Sequence, residues 1–347
     1  MKIRVSDPFS AANDPELPTL ALALNPTEAK HELKRGLPRL SGDGVLRVKA
    51  IRVTRHKPGR RCVVEYQVEV QSSKQSVKDV MIIGKLRARR FGAESLRLLE
   101  RLWNSGFDSE SRDGISVPEP LGLISRFQMW FQRKVPGEIA TEQLASPGGI
   151  ALAGRIAEAA HKLHQHEIPN ERSHTMLDEL KILNECLQKV AALRPEWEKR
   201  LRRLMAECER FGASIPEPRP CGIHRDFYAA QVIVDPTAQS IIPPQPPRIY
   251  LIDFDLYCLG DPGLDIGNFI GHMTEWGLRK LGDARALAKQ EQALENRFVE
   301  LTGEQCRPAI RAYTTLTLVR HIYLSTQFPE RQSFTPQLLE LCEQRLY

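Results

Sequence analysis

With 347 residues, 41% hydrophobic and 27% charged, the chain is too long for one small core and too ordinary in make-up for a disordered or fibrous protein; two lobes, or one domain with helical additions, are expected. No apolar run reaches the ~18 residues of a membrane-spanning helix, and the Met-Lys-Ile-Arg start lacks the apolar core of a signal peptide, so a cytoplasmic protein with no membrane partner is expected. The net charge of +6 suits a mildly basic enzyme or attraction to an anionic ligand such as a nucleotide, while the absence of a basic block interleaved with aromatics argues against a nucleic-acid partner.

Taken in order, residues 1–26 are punctuated by Pro and Asp and are expected to be mostly irregular, part of an N-terminal extension over 1–40. Asn25-Pro26-Thr27-Glu28 has the form of a helix start, with a short helix over 29–37. Residues 46–53 alternate apolar and polar, predicting a half-buried strand. A turn at 57–60, a strand over 62–70, a second turn at 72–75 and a third strand over 79–86 follow. Residues 93–103 form an amphipathic helix with Leu96, Leu99 and Trp103 on one face. Two more strands are expected over 120–124 and 127–132.

Beyond Gly137 the pattern turns helical. Helices are predicted over 150–164, over 176–190 with Leu177, Leu180, Leu183, Leu187 and Val190 as its core stripe, and from Pro195 to Cys208. Helices over 284–301, 307–325 and 336–345 close the chain. His161, His164 and His166 lie close together, but no second cluster of ligands accompanies them, so they are expected to be packing or surface residues. Seven scattered cysteines with no C-x-x-C pair point to reduced thiols.

The most informative stretch runs from Cys221 to Asp265. His224-Arg225-Asp226 is followed five residues later by Gln231 and the apolar run Val232-Ile233-Val234. After a loop over 241–248 with four prolines, Ile249-Tyr250-Leu251-Ile252 leads into Asp253-Phe254-Asp255, then Gly260-Asp261-Pro262-Gly263-Leu264-Asp265. Acidic and amide side chains thus stand at the ends of two short strand-like runs.

This order resembles the protein-kinase signature H-R-D-x-x-x-x-N followed by D-F-G, with Gln231 in the place of Asn and Asp255 in the place of Gly. The Leu-Ile-Asp-Phe-Asp and Gly-Asp-Pro-x-x-Asp segments look like the aminoglycoside phosphotransferase and choline kinase branch of that fold, whose members phosphorylate hydroxyls of small molecules. The resemblance runs from about Val48 to the C-terminus. It implies an α+β fold of two lobes, a small antiparallel-sheet lobe over 41–135 and a larger, mostly helical lobe over 136–347. It also implies ATP and magnesium as cofactors, with a nucleotide and a small hydroxylated substrate as partners.

Residue by residue, the resemblance makes Asp226 the catalytic base and Asp253 the main magnesium ligand, with Gln231 offering an amide oxygen at the second metal position. Lys85 in the third strand would pair with the nucleotide phosphates, held by Glu94 in the following helix, or failing that by Glu100. Arg60, in the turn that covers the phosphates in kinases, would add charge where no Gly-rich loop is present. Arg133 and Val135, in the Arg-Lys-Val-Pro-Gly segment, would meet the base at the hinge. His224, Arg225, Asp261 and Asp265 would hold loops, and Asp255 would be either a further carboxylate near the metal or a loop-fixing acceptor. Gln231 also leaves open a nucleotide-binding scaffold without turnover.

Overall fold

The computed structural model of the protein describes residues 3–41, 44–71, 77–88, 92–166, 168–237 and 246–346. The turn expected at 72–75 and most of the proline-rich loop lie outside them. The chain divides into two compact units, Met1–Pro136 and Gly137–Tyr347.

The first unit contains β1 (Arg4–Ser6), α1 (Leu20–Leu24), α2 (Pro26–Gly36), α3 (Pro38–Ser41), β2 (Val45–Lys57), β3 (Arg61–Gln71), β4 (Val77–Arg87), α4 (Ala93–Leu102), β5 (Ile115–Ser116), β6 (Pro120–Ile124) and β7 (Met129–Arg133). Its sheet has the order β1-β2-β3-β4-β7-β6, with β1 parallel to β2 and every other neighbour antiparallel. Strand β2 buries Leu46 and Val48, then Ile51 and Val53, so its phase of two slips by one residue. The pairing register shifts between Val48 and Ala50, and this bulge turns both apolar pairs to the same core.

The N-terminal stretch corrects the expectation of irregular chain. Arg4–Ser6 pairs with Ala50–Arg52, and Leu17, Leu20 and Leu24 are buried in the same cluster as Ile51, Tyr66 and Phe131. The helix start expected at Asn25-Pro26-Thr27-Glu28 is present. Pro26 opens α2, and the Asn25 side chain accepts the backbone N–H groups of Thr27 and Glu28. Further along, Phe127 sits in a 3₁₀ turn rather than at the start of a strand.

The second unit contains β8 (Glu138–Ile139), α5 (Ala140–Leu144), α6 (Gly149–Gln165), β9 (Ser173–His174), α7 (Met176–Leu193), α8 (Glu198–Ala213), β10 (Cys221–Ile223), β11 (Val232–Asp235), β12 (Arg248–Leu251), β13 (Cys258–Gly260), α9 (Pro262–Trp276), α10 (Ala288–Thr302), α11 (Arg307–Thr326) and α12 (Thr335–Leu346). Helix α10 starts four residues later than 284, after a run of turns. Helix α7 corrects another detail. Leu177 is 77% exposed, and the inward face carries Glu179, Leu183, Cys186, Leu187 and Val190. All seven cysteines are free thiols, five of them buried.

Helices α9 and α11 pack closely because α9 presents Gly263, Gly267 and Gly271, one residue per turn. A Cβ on Gly267 would stand 2.6 Å from the Ile310 carbonyl oxygen and 2.6 Å from the Tyr313 Cβ. The Asp261 side chain caps α9 by accepting the Gly263 N–H at 2.8 Å. These contacts fix the helix that carries Asp265 and Asn268.

Candidate active site

Two small antiparallel pairs bring the acidic residues together. Strands β11 and β12 pair with Val232 opposite Leu251, so Gln231, just before β11, and Asp253, just after β12, flank the same end of the ladder. The Ile252 N–H donates to the Gln231 carbonyl at 3.0 Å. Strands β10 and β13 pair with Ile223 opposite Cys258, which places the loop carrying Asp226 beside the turn after Asp253. Glycine is required at 222, where a Cβ would overlap the Tyr257 hydroxyl.

Asp265 organises the loop. It is fully buried and accepts the backbone N–H groups of His224 at 2.8 Å and Arg225 at 2.7 Å, and it is bonded to His164 Nε2 at 2.8 Å. His224 Nε2 donates to the Ile252 carbonyl at 2.9 Å, tying the loop to the strand end that precedes Asp253. The ring of His224 lies 4.9 Å from that of Phe254 and 5.7 Å from that of Phe227, and Phe227 meets Phe269 at 5.1 Å. An aromatic column thus joins α9, the Asp226 loop and the Asp253 turn.

The backbone is strained at two residues of this cluster. Arg225 has φ of 68° and Asp253 has φ of 66°, the left-handed region in which a non-glycine residue is uncommon. At Arg225 the two bonds to Asp265 hold the conformation. At Asp253 the left-handed residue opens the 3₁₀ turn Phe254–Leu256.

Asp226 carries the electrostatics of the site. Burial, with the nearby Asp253 charge added, raises its carboxyl above the usual carboxylate range, while His224, the bond from Gln231 and Arg320 oppose the shift. Gln231 Nε2 donates to Asp226 Oδ2 at 3.2 Å, which leaves the amide oxygen of Gln231 for another partner. Among the described residues no three His, Cys, Asp or Glu side chains form a metal-binding group.

The first unit holds the remaining predicted residues. Lys85 lies in β4 opposite Val63 and Trp130, with Nζ 4.9 Å from the Trp130 ring centroid. Glu94 is exposed in the first turn of α4, and among the described residues neither Glu94 nor Glu100 forms an ion pair. Arg60 is exposed in the β2–β3 turn. That turn is pinned from the N-terminal stretch: buried Asp14 accepts the Gly59 N–H at 2.8 Å and is bonded to His56 Nε2 at 2.8 Å. Burial pushes the Asp14 carboxyl up, but the bonds from Gly59, His56 and Glu16 outweigh it and hold the group below the usual range. Arg133 donates to the Glu119 carboxylate at 2.5 Å, and half-buried Val135 follows the Lys134 N–H bond to the Met81 carbonyl.

Comparison with known proteins settles the family. The sequence model of the phosphotransferase enzyme family matches residues 85–306, more than half of the chain. The chain belongs to this family. A microcompartment-associated aminopropanol kinase superposes with a TM-score of 0.58 at 12% identity, covering 93% of this chain and 95% of that one. A choline/ethanolamine kinase family protein from Mesorhizobium loti gives 0.57 at 14% identity, covering 92% and 94%. The GDP complex of aminoglycoside 2'-phosphotransferase-IIIa gives 0.53 at 15% identity, covering 93% and 100%. No curated protein matches the chain. The fold is the protein-kinase-like α+β fold, and no described helix is long and apolar enough to cross a membrane.

In this phosphotransferase several residues around the loop had no signal in sequence. His164 was expected only to pack, yet it bonds Asp265. Asn268 Nδ2 donates to the Phe227 carbonyl at 3.0 Å, and Arg320 bonds both Asn268 and Glu179. The glycines at 263, 267 and 271, one per helical turn, are a sequence signal that could mark the closely packed face of α9.

Proposed function

We propose that this phosphotransferase moves the γ-phosphoryl group of ATP to a hydroxyl of a small molecule, with magnesium. The observation that carries the reading is the convergence of Asp226, Gln231 and Asp253 on the same end of two paired β-ladders. Phosphoryl transfer asks for positioning and charge neutralisation more than covalent chemistry.

The donor set fits magnesium. One carboxylate, on Asp253, and one amide oxygen, on Gln231, leave the remaining octahedral positions to phosphate oxygens and water. The pair of carboxylates at Asp226 and Asp253 is the kind of local negative charge that a cation relieves. When bound, the ion neutralises charge on the transferring phosphate.

Asp226 accepts the hydrogen bond of the acceptor hydroxyl and takes its proton as that oxygen bonds to the γ-phosphorus. The bond from the γ-phosphorus to the bridging oxygen breaks, and ADP leaves with that electron pair. Gln231 steadies Asp226 through its amide N–H. Lys85 pairs with the nucleotide phosphates, Arg60 adds charge from its turn, and Arg133 and Val135 meet the base through their backbone. The bond between Lys85 and Glu94 is one that the nucleotide-bound state would have to form.

Gln231 in the place of Asn favours a second reading, a nucleotide-binding scaffold without turnover. Two structural neighbours, a choline/ethanolamine kinase family protein and an aminopropanol kinase, make small amino alcohols reasonable first acceptors. The test is ADP release from ATP and magnesium across a panel of amino alcohols, sugars and aminoglycosides. Acceptor-dependent release supports the kinase. Tight, metal-independent ATP binding with no release on the whole panel supports the scaffold.

A further inference from the structure

Behind the Asp226 loop a polar chain crosses three helices. It begins at the Phe227 carbonyl, one residue after Asp226, which accepts from Asn268 Nδ2 at 3.0 Å. Asn268, 1% exposed on α9, has its amide orientation set by two donors to its Oδ1: Arg320 Nη2 at 2.8 Å and Thr317 Oγ1 at 3.2 Å. The other arm of the Arg320 guanidinium donates to Glu179 Oε2 at 3.1 Å, and Glu179 Oε1 is bonded to His174 Nε2 at 2.6 Å. His174 lies in β9, which pairs with β13 just beyond the Asp253 turn.

Every link has a reason to be polar. A buried amide at 268 without partners would cost about 1–3 kcal/mol per orphaned group. Arg320 meets two acceptors on two different helices through separate nitrogens of one planar fork, a wider and more rigid span than a compact ammonium offers. Glu179 faces inward where the apolar stripe of α7 called for an aliphatic residue, and burial there raises its carboxyl while His174 and Arg320 more than offset the effect. Together they clamp the carbonyl that follows Asp226.

We propose that Arg320 is a positioning residue for phosphoryl transfer, acting through Asn268 on the Phe227 carbonyl and so on the placement of Asp226. Glu179 holds the far arm of the guanidinium and ties α7 to the same loop. The inference rests on Asp226 being the base of the reaction proposed above. Misplacing a reacting group by about 1 Å costs ~10²-fold in rate, so loss of the clamp should be read in kcat rather than in nucleotide binding.

The test uses the full chain and the magnesium-dependent hydrolysis of ATP, which needs no identified acceptor. Arg320→Met should lower kcat by roughly 10–100-fold, with KM for ATP within about twofold and the folded fraction at assay temperature unchanged. Asn268→Ala should lower kcat similarly, and the double variant should be no slower than the slower single one, because both break one chain. Arg320→Lys should recover part of the loss and carries the test if Arg320→Met does not fold. A kcat at the wild-type value in a folded Arg320 variant overturns the proposal. So do multiplying effects of the two substitutions, or a rise in KM with kcat intact. Asp226→Asn is run in parallel: if it keeps wild-type turnover, the reading of Asp226 fails, whereas a dead Asp226→Asn beside a fully active Arg320→Met defeats only the inference.

Discussion

Asp265 Oδ1 accepts the Arg225 backbone N–H at 2.7 Å, and together with the neighbouring His224 bond it fixes a residue held in the left-handed region, one position before Asp226. The other oxygen of the same carboxylate takes the His224 N–H and His164 Nε2. One buried side chain on α9 therefore sets the path of the loop. Asp265→Ala would leave one buried and one half-buried backbone donor unpaired and remove the support of a strained φ, so the second unit should lose about 3–5 kcal/mol. Urea denaturation followed by far-UV circular dichroism checks this, and a loss below about 1 kcal/mol would mean the loop holds itself.

Asp226 should tax stability when ionised. Its folded carboxyl titrates above the unfolded value, so the native state binds its proton more tightly, and stability falls as pH rises from the unfolded value through the folded one. Asp226→Asn should accordingly raise the melting temperature at pH 7, by about 1–3 °C, and the gain should vanish below pH 4. Added magnesium should narrow the difference. Calorimetry of the two proteins from pH 3.5 to 8 makes the comparison.

The metal site gives a separate expectation. Gln231→Ala removes both the proposed amide ligand and the bond to Asp226. The magnesium concentration for half-maximal ATP hydrolysis should rise by roughly tenfold or more. Gln231→Asn keeps an amide oxygen and should stay near the wild-type requirement. Equal magnesium curves for all three proteins would remove Gln231 from the site.

Packing behind the site is tested at Gly267. A methyl group there meets backbone atoms of α11 at 2.6–2.7 Å, so Gly267→Ala must push α9 and α11 apart. A cost of about 1–3 kcal/mol is expected, together with slower turnover, because Asn268 and Asp265 move with α9. Thermal unfolding and ATP hydrolysis of the variant measure both effects.

The local signals marked five strands of the first unit, β2, β3, β4, β6 and β7, but neither β1 nor β5, and the plain alternation read over 46–53 passed over the phase slip of β2 between Val48 and Ala50. The acidic and amide residues of the 221–265 stretch were legible because each ends a short apolar run. What escaped was carried by bonds between distant residues. Asp14 reaches Gly59 across 45 positions, and Arg320 reaches Asn268 across 52 and Glu179 across 141. No periodicity marks such pairs. Leu177 was misplaced because the stripe of α7 has a buried Glu179 inside it, and a charge at a core position breaks the pattern used to find the core.

The central claim, that Asp226 acts as the base of a phosphoryl transfer, is tested most directly by Asp226→Asn. With magnesium and ATP, and with whichever acceptor the panel identifies, kcat should fall by ~10²–10⁴-fold, while the dissociation constant for ATP stays within about twofold and the protein remains folded. Turnover at the wild-type rate in that folded variant would contradict the account.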